Sequence, residues 1–156
     1  MIEKQNRRLA VLNVFPFLIV PVLFYNLLAL FSADPAPGST VPALIATLRA
    51  DAFTLPMLSG ATLGLNWGDM LLLLAIIFLL VEVVKSTRTG SSSIINHMLS
   101  FGVFIVCVVE FLTLPSFASS TFFLLTMIVL LDAMAGMAVS IVSARRDFDV
   151  DGQPHS

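Results

Sequence analysis

Few residues in this chain could do chemistry, and the most promising of them stand inside long apolar runs. "TMIVLLDAMAGMAVSIV", residues 126–142, carries Asp132 near its middle and no other charge. A central aspartate costs roughly 2.5–3.5 kcal/mol on an insertion scale, so it is a functional candidate by default. Gly136 and Ser140 follow at four-residue intervals, with Ala133 and Ala135 alongside. Small residues at that spacing let a second helix approach closely, which makes Asp132, Gly136 and Ser140 an expected helix-contact face. The Asp132 side chain is too short to snorkel out of the bilayer, so it must face protein, water or a bound cation. Asn13, Tyr25 and Asn26 on the first apolar run are its expected partners, together with carbonyls freed by Pro16 and Pro21. Two chemistries fit: a neutral hydrogen-bonding link between helices, or a proton or cation site.

The other acids have plainer expectations. Glu110 shares a helical face with Ser100, Val103 and Cys107. Arg49 is the one basic residue in reach, and a Glu110–Arg49 contact is expected. Asp69 falls in the first turn of a helix, where a carboxylate acts as a cap. Glu82, one turn before Lys85, reads as an ordinary helix-end ion pair.

No cofactor, metal or catalytic set emerges. The single cysteine, Cys107, excludes an intramolecular disulfide and any multi-cysteine metal site. His97 and His155 do not make a haem pair. "DFDVDG", Asp147–Gly152, matches the opening of a calcium-binding EF-hand loop, but the sequence reaches Ser156 before the glutamate that loop needs, so calcium is not expected. Gly-rich phosphate loops and nucleophile elbows are absent, and enzymatic activity is not expected.

The elements that position these residues follow from composition. Of 156 residues, 58% are hydrophobic and only 12% charged, with mean hydropathy +0.99. A soluble domain would be about a quarter charged, so the surface must meet lipid. A net charge of −2 offers nucleic acid nothing to bind. A crossing takes about 20 apolar residues, and four runs qualify: roughly 9–31, 68–84, 94–114 and 122–142. This predicts an all-α membrane protein, a single four-helix bundle over 1–156. Seven of the eight basic residues fall before the first run, between the second and third, or after the fourth. Positive loops stay inside, so both termini and the tail 143–156 are expected in the cytoplasm, most simply at a bacterial inner membrane. The first run, about 23 residues long, exceeds the 7–15 of a signal-peptide core and is expected to stay as an anchor.

The outer loop, 32–67, should hold two pieces. Thr40 and Pro42 open a short helix with Leu44, Ile45 and Leu48 on one face. Phe53, Leu55 and Met57, then Leu63, Leu65 and Trp67, alternate with polar or small residues on either side of "LSGA", the pattern of a β-hairpin with one apolar face. Trp67 should sit at headgroup level. Four helices with a partly β first outer loop make a layout similar to claudin-type membrane proteins. The paired cysteines of that family's loop are absent here, and architecture alone carries no function. The expected function is that of an accessory, scaffold or assembly subunit, contacting itself or other membrane subunits through the helix face and the outer loop. The alternative is a small oligomeric transporter or channel relaying protons or cations through Asp132 and Glu110.

Overall fold

The computed structural model describes residues 15–32, 38–86 and 91–151, with side chains over 15–32, 38–85 and 95–138. Five helices occur among them: α1 (Ile19–Leu30), α2 (Ala43–Arg49), α3 (Trp67–Ser86), α4 (Ser91–Thr113) and α5 (Ser120–Asp151). Strands β1 (Asp51–Pro56) and β2 (Thr62–Asn66) form a two-stranded antiparallel sheet, and a 3-10 turn covers Pro115–Phe117. Three stretches are long and apolar enough to cross a membrane: Trp67–Lys85, Ile95–Thr113 and Ser120–Ala138. The chain is a mostly helical membrane protein with one small sheet. The first expected span is described only from Phe15 onward and holds a 12-residue helix, less than a full crossing.

Local chemistry sets the helix ends. At the start of α3, the Asp69 N–H donates to Asn66 Oδ1 at 2.9 Å and the Asn66 N–H donates to the Asp69 carboxylate at 2.9 Å, a reciprocal capping box. Ser119 Oγ accepts the Phe122 N–H at 3.1 Å and caps α5. Pro115 forces Leu114 into extended backbone and ends α4. The far end of α5 departs from expectation: the helix continues through "SARRD" to Asp151, where a free tail from residue 143 was expected. No glycine or proline interrupts the chain between Gly136 and Gly152, so nothing stops the helix earlier. The backbone of Asp147, Asp149 and Asp151 therefore lies on this helix.

Of the two prolines of the first run, Pro21 acts differently from expectation, and the carbonyl four residues before Pro16 lies outside the described residues. Pro21 stands in the first turn of α1, where its missing N–H has no intrahelical partner to lose. The Phe17 carbonyl, four residues earlier, accepts the Val20 N–H. No acceptor is freed there for Asp132.

Helix α5 is the centre of the packing and lies along both α3 and α4. Phe122, Leu125, Val129 and Ala133, at helical spacing, are fully buried. Side chains such as Ile77, Val109 and Leu131 point outward and are more than half exposed, a surface stable only against lipid. Tyr25 fastens α1: its ring packs on Phe117 and Phe122, and its hydroxyl donates to the Ser116 carbonyl at 2.9 Å and shares a 2.9 Å hydrogen bond with Ser119 Oγ.

Helix α2 buries Leu44, Ile45 and Leu48, with Pro42 rather than Thr40 at its cap position. In the sheet, Phe53 faces Leu65 and Leu55 faces Leu63, so four apolar side chains share one face. The turn closes through Gly60 N–H to the Met57 carbonyl, with Gly60 at φ +83°, a conformation that glycine adopts without strain. Strand β2 runs directly into α3, and the Trp67 N–H bonds the Ala50 carbonyl. The sheet thus stands at one end of the bundle, and the α3–α4 connection at the other.

Candidate functional site

A buried polar cluster lies at the α3–α4 end. Its hub is Glu82, which is completely buried. Glu82 Oε2 accepts the Phe17 N–H at 2.9 Å, just ahead of α1. Oε1 accepts Lys85 Nζ at 2.8 Å and the Asn96 side-chain amide. Lys85 Nζ also donates to the Phe15 carbonyl at 2.6 Å and to Asn96 Oδ1 at 3.1 Å, and lies 4.6 Å from the centre of the Phe17 ring. An ammonium has three donors, and Lys85 has three acceptors. Glu82 is therefore not the ordinary surface pair the sequence suggested. Helices α3 and α4 both pack on α5, and one carboxylate fastens α3, α4 and the approach to α1 together.

Asp132 lies beneath this hub, 2% exposed, beside Ser100 and within electrostatic range of Glu82 and Lys85. Ser100, 1% exposed, is three residues beyond His97 on α4. The His97 ring rests on Gly136, one turn along α5 from Asp132, so closely that a Cβ at Gly136 would collide with it. His97 and Ser100 thus face Gly136 and Asp132 across the α4–α5 contact. Asp132 Oδ2 and Ser100 Oγ are buried neighbours and engage no third group.

The partners expected for Asp132 are elsewhere. Tyr25 is engaged with Ser116 and Ser119, and Asn26 donates to Glu110 at 3.2 Å and to the Val22 carbonyl at 3.2 Å. Asn13 lies outside the described residues, as does the side chain of Ser140. The expected Glu110–Arg49 contact does not form. Leu44, Ile45 and Leu48 turn inward and thereby turn Arg49 out to an exposed position. Glu82 and Lys85 do form an ion pair. The Asp132–Gly136 face does meet a helix, but the helix is α4 of the same chain.

A second feature lies toward the hairpin end, between α1, α2 and the start of α3. A half-open cavity of about 520 Å³ is walled by Phe24, Leu27, Leu28, Leu44, Leu48 and Trp67, among others. Trp67 is 54% exposed at its edge. Asp69 is occupied by the capping box and is not part of either feature.

Sequence reasoning passed over Lys85, Asn96, His97 and Ser100 as site members. A signal was present: Asn96 and Ser100 are four apart, and Glu82 and Lys85 three apart, on either side of one short connection. Faces at those spacings meet when the two helices fold back on each other. Compared with protein-family models, curated proteins and solved structures, the chain matches none.

Proposed function

We propose that this protein is an accessory or assembly subunit of the membrane, docking a second membrane polypeptide through its β-hairpin. The observation behind this reading is the uncovered apolar face of the sheet: Phe53, Leu55 and Leu63 are 43–45% exposed, and Leu58 at the turn is fully exposed. A two-stranded hairpin is marginal on its own, and grouped exposed apolar residues mark interaction surfaces. The Asp132–Gly136 part of the α5 face is already taken by α4, which favours the hairpin as the surface for a partner. In this reading the segment 9–31 completes a fourth crossing. The basic residues gathered at the termini and the α3–α4 connection keep that end in the cytoplasm, most simply of a bacterium. A photo-crosslinking side chain at Leu55 or Leu63, in cells, should capture a second polypeptide, while one at Thr54 on the opposite face should not. Adducts to lipid alone from both positions would reject the docking role.

A relay through Asp132 and Glu110 is less well supported. Asp132 faces Ser100, and Glu110 is ten residues further along α4, about 15 Å at helical rise. Glu110 is engaged by Asn26.

A further inference from the structure

Charge counting around Asp132 leads beyond a docking role. Helix α3 presents Glu82 and Lys85 to this site, opposite charges in direct contact. Helix α4 presents His97 and the neutral Ser100 and Asn96. The chain ahead of α1 brings only backbone, the Phe15 carbonyl and the Phe17 N–H. Among the acids of this site, Asp132 is then the one whose charge has no dedicated counterpart, and an unpaired carboxylate in a low-dielectric interior is strongly disfavoured. Asp132 Oδ2 and Ser100 Oγ, buried neighbours that engage no third group, lie at this same point.

We infer that Asp132, Ser100 and His97 form an intramembrane proton-binding site that holds one exchangeable proton. With the proton on Asp132 Oδ2, the acid O–H donates to Ser100 Oγ, which gives both oxygens a partner and removes the buried charge. On uptake an O–H bond forms at Oδ2 from a proton delivered by water at the α3–α4 end; on release that bond breaks and the proton returns. His97, packed on Gly136 one turn along α5 from Asp132, is the other group of the site able to take up the proton, with the same total charge. A hard metal cation is a poor alternative, because it takes about six or more oxygen ligands. Only two oxygens stand free here, and no group of three His, Cys, Asp or Glu side chains able to hold a metal occurs among the described residues.

The test is infrared spectroscopy on the full chain in lipid nanodiscs. The wild type should show the carbonyl stretch of a protonated carboxylic acid near neutral pH, and the band should move in heavy water. Asp132→Asn should remove that band, and Ser100→Ala should shift it to the frequency of an acid lacking its hydrogen-bond acceptor. A spectrum unchanged by Asp132→Asn, or a band that never exchanges, overturns the proposal. Carbodiimide labelling of the wild type gives a reading free of folding artefacts. Modification mapped to Asp132 should fall as pH rises and be indifferent to sodium. No labelling of Asp132 at any pH, or protection by sodium at fixed pH, counts against a proton site. Labelling and the Ser100→Ala shift decide the matter even if Asp132→Asn fails to fold.

Discussion

The two ends of the bundle use buried polar groups in opposite ways. Toward the hairpin, the Tyr25 hydroxyl is satisfied by Ser116 and Ser119, Ser119 also takes the Phe122 N–H, Asn66 and Asp69 cap each other, and Glu110 takes Asn26. At the α3–α4 end, the Glu82–Lys85–Asn96 shell is equally complete, yet directly beneath it Asp132 and Ser100 keep unpartnered oxygens. Buried polar groups in folded proteins are overwhelmingly paired. A completed set fastens helices, whereas an incomplete one beside a completed one marks where a ligand belongs. The incomplete set is also the more deeply buried one, since Asn26, Asn66, Asp69 and Glu110 at the hairpin end are only half-buried.

The largest effect should come from breaking the shell. Glu82→Ala leaves Lys85, Asn96 and the Phe17 N–H without their shared acceptor, and truncating one partner of a buried pair costs about 3–5 kcal/mol. Unfolding in mixed detergent micelles should register that loss, and protease should gain access to the segment before α1. A cost below about 1 kcal/mol, the ordinary range of a surface pair, would mean that Glu82 fastens nothing.

Next in size is Gly136→Ala. The new methyl must displace the His97 ring, and overpacking of this kind costs about 1–3 kcal/mol. Gly102 on α4 is the matched control, with nothing within 4 Å of an added Cβ. Gly102→Ala should be neutral or stabilise by up to about 1 kcal/mol through helix propensity. Equal effects at the two glycines would show that the α4–α5 contact does not run through His97.

How much of this was legible beforehand depends on whether a feature is local. The α3 cap at Asp69, the inward face of α2, and the pairing of Phe53 and Leu55 with Leu65 and Leu63 all follow from spacing within one segment. Hydrophobic period and turn chemistry fix such features. The site was only half legible. Asp132 stood out because an acid in an apolar run is conspicuous by itself, and the face it shares with Gly136 follows from helical geometry. Its neighbours did not, because period gives the direction of a side chain on its own helix and says nothing of which helix stands opposite. Arg49 and Glu110 looked complementary in charge, but the burial of Leu48 settles where Arg49 points. Glu82 looked superficial because it is close in sequence to Lys85 at a helix end, and it is the chain before α1 and Asn96 of α4 that close over it.

Smaller still, Tyr25→Phe tests the hairpin end. The ring contacts with Phe117 and Phe122 survive, and Ser119 keeps its bond from Phe122, so the loss is confined to the hydroxyl and the Ser116 carbonyl. About 1–2 kcal/mol is expected from a hydrogen bond removed in a buried setting. Unfolding of the variant measures it, and a null result would mean that α1 is held by apolar contact alone.

The smallest stability effect should belong to Asp132→Asn, although this is the most deeply placed acid. Asparagine matches the size of a protonated aspartate, and its amide N–H can donate to Ser100 Oγ as the acid O–H would. If the wild type carries a neutral acid, the exchange swaps one neutral donor for another, and stability should stay within about 0.5 kcal/mol. Asp132→Ala, which leaves Ser100 without a partner and opens a void, should cost more than Asp132→Asn. If aspartate is instead held as a carboxylate, its removal discharges a buried charge and Asp132→Asn should stabilise by well over 1 kcal/mol. A substantial loss would indicate a carboxylate balanced by His97 as imidazolium. Unfolding curves at one pH thus separate the three charge states, and only the near-zero outcome fits an end of the bundle built to take up a proton.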